Sequence, residues 1–435
     1  MKPRVLIAGG GLAGLSCARE LFQHSHPYLL VEKEKDPGGL CRSVLTQGFT
    51  YDYTGHFLHF QDPKVKEWVL GWVGDRLKVR RRHAVIHSEG TYSEYPYQEN
   101  NAGLPSATVR ENVLGYLQAQ LGRRSADGTG PADDFRTWCL RSFGEGISKN
   151  FMFPYNQKLW KFPLHKLSTH WMGRFVPRPR VLEVLEGARG SRNSSAGYNA
   201  TFLYPDQGGI SILPQAIAKG LPDLWLGAEL AGLHLGKRTA WLKDGRAVPF
   251  DRMVSSLPLP RLVRLTRDLP AGLRRMAGRL KATSIYNINL GLRGRQPIPY
   301  SWVYFPGAEF TFHRAGSVSA CVPTVAPSGH FSLYVEFSYR GPRPSPKVLG
   351  KQALEGLKHL GWIKSGKQVV SRADLDLPGA YVIYDRDREC VPELLDHYRR
   401  KGVDGVGRYG LWEYGSMESA IAQGTSAARR ILGRR

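Results

Sequence analysis

The sequence predicts an α/β fold with a parallel-sheet dinucleotide-binding unit, a helical insertion and a second, antiparallel sheet. Three observations carry this. A glycine-rich turn joins an apolar strand to a helix near residue 9, residues 105–180 are helix-rich, and residues 281–340 form short alternating runs broken by Pro and Gly. With 435 residues the chain exceeds one ordinary core, so two or three domains are expected.

The first element is the most specific. Arg4 to Ala8 reads as a short buried strand, and Gly9-Gly10-Gly11-Leu12-Ala13-Gly14 follows at once. A helical run continues to Phe22, and a second apolar strand, Tyr28 to Val31, ends in Glu32. This is G-x-G-x-x-G between strand and helix, with an acid closing the second strand. Gly9 permits the tight turn, Gly11 lets backbone approach a pyrophosphate, and Gly14 allows close helix–strand packing. The helix N-terminus offers free N–H groups and a positive dipole to the phosphates. Glu32 suits the ribose hydroxyls of an adenosine and disfavours a 2′-phosphate. At this point NAD and FAD remain unseparated.

Composition excludes several classes. Charged residues make up 23% and hydrophobic residues 42%, a globular balance. Net charge is +24, spread along the chain with small clusters at Lys78–Arg82 and Ala427–Arg435. No nucleic-acid motif accompanies it, so it reads as a solvated basic surface with no specific nucleic-acid partner. The five Cys are dispersed and never paired as C-x-x-C, which argues against a disulfide framework or a metal site and for a reducing compartment. No apolar run is long enough for a transmembrane helix, and a cytoplasmic protein is expected. Oligomeric state is not legible.

Residues after Glu32 separate the cofactors. Glu32 to Ser43 reads E-K-E-K-D-P-G-G-L-C-R-S, followed by Gly48-Phe49-Thr50-Tyr51-Asp52-Tyr53-Thr54-Gly55-His56. This resembles the amine-oxidase and protoporphyrinogen-oxidase superfamily of flavoproteins, and the second segment resembles its UDP-galactopyranose mutases. Further segments share that likeness: Tyr95-Pro96-Tyr97-Gln98, Phe143 to Trp160, Gly173-Arg174-Phe175, Asn199-Ala200-Thr201-Phe202, Trp302 to Arg314, and Gly407 to Tyr414 with Met417-Glu418.

The resemblance implies a Rossmann-like FAD-binding domain in which Gly9, Gly11, Leu12, Ala13, Gly14, Glu32, Lys33, Gly39, Leu40, Arg42, His56, Met417 and Glu418 meet the cofactor. It implies a nucleoside-diphosphate sugar, most simply a UDP-sugar, as substrate. Tyr95, Gln98, Trp160, Arg174, Asn199, Trp302, Tyr304, Arg314, Tyr381, Arg408 and Tyr414 would hold it. His56, Arg174 and Arg314 would be catalytic. Arg174, Arg314 and Arg408 come from distant segments, and guanidinium binds phosphate oxygens bidentately without losing its charge. In the mutases, N5 of the reduced flavin attacks the anomeric carbon, the diphosphate leaves and the sugar ring rearranges with no net redox. Activity would then require NAD(P)H or another external reductant. Thr54, Val382 and Ser416 depart from the mutase pattern, which usually has Gly, Pro and a nearby Asp there. The alternative is an FAD-dependent oxidase or desaturase of an amine, lipid or tetrapyrrole.

The expected division is discontinuous. Residues 1–62, 200–262 and 403–435 form the FAD-binding domain, 63–199 a mostly helical substrate or lid domain, and 263–402 an antiparallel-sheet substrate domain. Gly187 to Gly197 reads as a linker or a lid.

Overall fold

The computed structural model describes residues 4–125, 134–172, 176–190 and 201–434. Val5–Ala8 lies at the centre of a five-stranded parallel sheet, flanked by Arg252–Ser255 on one side and Tyr28–Val31 on the other. Val403–Gly405 and Leu224–Trp225 complete its edges. All four residues of Val5–Ala8 are buried. Val5 and Ile7 pack with Leu15 and Ile421, while Leu6 and Ala8 face Leu29, Val31 and Met253. A strand covered on both faces needs this continuous apolar run rather than alternation.

A second sheet has seven strands in the order Val369–Val382, Ala282–Arg293, His330–Tyr339, Arg314–Gly316, Trp302–Tyr304, Ala84–Ser88 and Thr91–Glu94. It is antiparallel except where Trp302–Tyr304 runs parallel to Ala84–Ser88. One face, with Ile288, Leu290, Leu333 and Val335, is covered by the helix Pro346–His359 through Leu349, Ala353 and Leu357. The strands at 84–94 therefore belong to this sheet, although they fall within the stretch 63–199 expected to be mostly helical. Ala84–Ser88 is buried at every position, so it offers no alternation to read. Leu77–Arg81 likewise pairs with Thr201–Pro205.

Helices Ser106–Ser125, Phe135–Ile147 and Phe153–Trp160 supply the helical insertion. Gly187 falls inside the helix Val181–Ala188 rather than in a linker. Residues 191–197, the remainder of that segment, lie outside the described residues. No helix among the described residues is long and apolar enough to cross a membrane.

Candidate active site

A cavity of about 1020 Å³ runs from the glycine turn to the seven-stranded sheet, walled on a third side by the helix Phe153–Trp160. Its volume sits at the upper end of ordinary ligand pockets, roughly 300–1,000 Å³.

The glycine turn forms one end. Gly9 has φ +102°, and a Cβ on Gly14 would sit 1.9 Å from the Gly9 carbonyl oxygen. Gly11 meets nothing within 4 Å, so its backbone borders open space. The helix Leu12–Gln23 begins there with no side-chain cap, leaving N–H groups for an anion. Glu32 accepts from the Gly10 N–H at 2.6 Å and the Glu34 N–H at 2.9 Å, one bond to each oxygen. Each oxygen keeps a lone pair for a ribose hydroxyl. These residues fit the adenosine diphosphate half of FAD. Replacing Gly14 by alanine is expected to cost about 1–3 kcal/mol, since the helix must move off the turn. Flavin retained per protein on purification, read by absorbance, should fall with it.

Lys33, Gly39, Leu40 and Arg42 continue along the same wall. The Arg42 Nε donates to the Gly39 carbonyl at 2.8 Å, and its guanidinium lies 4.8 Å from the centre of the Tyr53 ring. Met417 and Glu418 open the helix Met417–Ile431, whose N-cap is Ser416. A capping hydroxyl is the structural use of serine at that departure from the mutase pattern. The Glu418 Oε1 accepts from the backbone N–H groups of Gln61 and Asp62, at 2.6 and 2.7 Å. Glu418 thus borders the cavity while tying two distant segments together.

His56, Tyr95, Gln98, Trp160, Trp302, Tyr304, Arg314, Tyr381, Arg408 and Tyr414 line the same cavity. Gly14 supports its floor without lining it. Arg174 and Asn199 lie outside the described residues. Not all of the lining polar atoms are open. The Gln98 amide nitrogen donates to the Pro177 carbonyl at 2.8 Å, and the Trp160 indole donates to Asn156 at 3.2 Å. Gly55 has a steric reason: a Cβ there would lie 2.3 Å from the Trp302 ring.

The arginines differ. Arg314 stands directly across the strand pair from Glu336. The two form a buried ion pair, with His313 Nε2 at 3.5 Å from the same carboxylate. Burial alone would raise Glu336, but Arg314 and His313 outweigh it and hold it below the usual carboxylate range. The Arg314 guanidinium lies 4.0 Å from the Trp302 ring centre. Arg408 instead lies beside the stacked Tyr381 and Tyr414 rings, at 5.0 and 4.9 Å from their centres, and its shielded Nε and Nη2 have no hydrogen-bond partner among the described residues. A half-buried guanidinium with shielded, unmet N–H groups calls for an anionic ligand.

Burial raises the phenols of Tyr304 and Tyr414, the latter to about 12, so both remain O–H donors. Burial lowers His56 to about 4, and its Nδ1 lies 3.2 Å from the Thr54 carbonyl oxygen. A neutral ring donating from Nδ1 leaves Nε2 as an acceptor. His313 is also lowered to about 4, by burial first. Both pKa values are depressed on folding, so their contribution to stability is present above about 6.5 and lost as pH falls toward 4. Asp52 opposes this. Burial raises it to about 6 despite bonds from Ser43, Tyr204 and the Ile210 N–H, so the fold gains relative stability as Asp52 protonates below that pH. His59 is lowered to about 4 as well, so with three imidazoles against one carboxyl the urea midpoint of the holoprotein should drop between about pH 6.5 and 4.5.

Sequence reasoning missed Arg82, Tyr155 and Glu336. The cavity is lined by the first two, and Glu336 neutralises Arg314. It also missed Lys158, whose ammonium donates to the Phe305 and Phe310 carbonyls at 2.7 Å and to Gly307. That brace fixes the helix bearing Tyr155 to the loop between Trp302–Tyr304 and Arg314–Gly316.

A family model described as flavin containing amine oxidoreductase matches residues 12–432. The chain belongs to that family. Members carry a flavin, which agrees with the glycine turn and Glu32. Among solved structures, this flavin amine oxidoreductase is similar to a reduced UDP-galactopyranose mutase, with TM-score 0.92 and 27% identity over 100% of this chain and 94% of that one. It also shares its fold with cyclohexylamine oxidase from Brevibacterium oxydans, at TM-score 0.69 and 14% identity over 100% and 99% of the two chains. A 53-residue stretch is 42% identical to an uncharacterized protein in the nifH2 3′ region of Methanothermococcus thermolithotrophicus. It covers 12% of this chain and about half, 51%, of that curated relative.

Proposed function

We propose that this flavoprotein acts on a nucleoside-diphosphate sugar, most simply UDP-linked, by a mutase-like reaction without net redox. The observation that carries the reading is Arg408, set against Tyr381 and Tyr414 with two shielded nitrogens unbonded among the described residues. The likeness to a reduced UDP-galactopyranose mutase supports it. An amine substrate fits less well, because Arg82 and Arg408 border the same cavity without a carboxylate partner among the described residues and repel an ammonium group.

When bound, the flavin supplies a reducible ring that is nucleophilic once reduced. The chain supplies the rest. Arg408 binds the diphosphate and stabilises the charge that grows as it departs. The Arg314 Nε, also shielded and unbonded among the described residues, adds a second donor, while Glu336 holds its guanidinium in place. Tyr304 and Tyr414 donate O–H groups to the same region, and the Trp302 face limits water. His56 offers Nε2 to a sugar hydroxyl and stays neutral while doing so.

Enzyme reduced with dithionite or NAD(P)H should convert members of a UDP- and GDP-sugar panel to isomers of equal mass, resolved by chromatography. UDP should perturb the flavin spectrum. Turnover by oxidised enzyme with hydrogen peroxide release, or no spectral change at millimolar UDP, would overturn the proposal.

A further inference from the structure

We propose that the substrate's sugar carries a carboxylate and that Arg82 receives it; this rests on the nucleotide-sugar reading of the same cavity. Arg82 lies between the strands Leu77–Arg81 and Ala84–Ser88 and borders the cavity half-buried. Its guanidinium sits 5.2 Å from the Tyr95 ring centre and 5.8 Å from that of Trp302. Among the described residues it has no ion pair and no side-chain hydrogen bond. The neighbouring cations of its own run are placed otherwise: Arg80 pairs with Asp206, and Arg81 is exposed.

The cavity therefore has two adjoining cationic regions, with the Trp302 ring against both Arg314 and Arg82. Arg314 and Arg408 share Tyr381 and Tyr414 as neighbours and both act on His56. Arg82 borders that region, sharing the Trp302 ring and Tyr304 with Arg314, and is the one of the three that acts on His59, a ring lowered to about 4 by burial first and then by this guanidinium. The first region suits a diphosphate, and a plain hexose would leave the second facing hydroxyls alone. A sugar carboxylate brings one negative charge and two acceptor oxygens, the complement of one guanidinium. A phosphate monoester would bring nearly two charges, for which the region has a single cation. His59 adds none: it is neutral, with Nδ1 3.0 Å from the Thr201 carbonyl oxygen, leaving Nε2 as an acceptor for a hydroxyl. A charge-assisted bond of this kind contributes about 1.5–3 kcal/mol, or roughly 10- to 150-fold in affinity.

The test titrates reduced holoenzyme with UDP, UDP-glucose, UDP-glucuronate, UDP-galactose and UDP-galacturonate, reading Kd from the flavin spectrum. The matching uronate should bind about tenfold or more tighter than its hexose. Arg82→Gln should remove that gap and Arg82→Lys should keep part of it, with UDP itself bound within about twofold in all three proteins. An unaltered flavin spectrum shows that the variants are folded. Equal or tighter binding of both hexoses by the unsubstituted enzyme overturns the assignment. Equal weakening of UDP and uronate by Arg82→Gln also overturns it and puts Arg82 on the diphosphate. In both cases UDP still binds and the nucleotide-sugar reading stands. If UDP binds to none of the proteins, that reading fails and the assignment falls with it.

Discussion

Replacing Glu336 by alanine is expected to lower stability by about 3–5 kcal/mol, the usual cost of stranding a buried charge. Glu336 is fully buried opposite Arg314, and it is the carboxylate that lets that guanidinium stay in the sheet. Glu336→Gln should cost less, because the amide oxygen still accepts a hydrogen bond. The measurement is urea unfolding of the holoprotein followed by far-ultraviolet circular dichroism. A change below about 1 kcal/mol for the alanine variant would mean that Arg314 finds another counter-charge or reaches water. The same variant separates structure from binding: UDP titration of the folded fraction shows whether a displaced Arg314 still serves the site.

The second large effect concerns turnover. Arg408→Ala should slow it by about 100- to 1,000-fold, the range seen when one preorganised donor to developing charge is removed. Its side chain makes no hydrogen bond within the described chain, so the fold should barely change, and Tm is the control. Arg408→Lys restores the charge without the planar fork and should recover only part of the rate. If the alanine variant retains full turnover with a UDP-sugar, Arg408 does not hold the diphosphate.

What was legible in the sequence follows the range of each interaction. The glycine turn is local: strand, turn, helix and acid all fall within residues 4–32, and each residue type states its own reason. Arg314 and Arg408 could be picked out because segments around them resemble a family. Glu336 could not, since its partner lies across a strand pair. The sole trace is a lone acid in the apolar run Leu333-Tyr334-Val335-Glu336-Phe337. Arg82 was hidden by its neighbours. The run Lys78 to Arg82 reads as one solvated patch, yet successive side chains on an extended segment point apart, and the last of them borders the cavity. The strand Ala84–Ser88 escaped because burial at every position erases the period of two.

The most consequential long-range feature is the way the last described helix supports the first. Met417–Ile431 packs along Leu12–Gln23, with Arg429 bonded to Glu20 at 2.8 Å across 409 positions of sequence. Val403–Gly405 adds the edge of the parallel sheet beside Arg252–Ser255. During synthesis, the glycine turn leaves the ribosome early, but its backing helix and sheet edge emerge only after residues 403–434 have been made. The support of the glycine turn is therefore completed only when those residues have been made, so the local motif depends on packing from about 400 positions away.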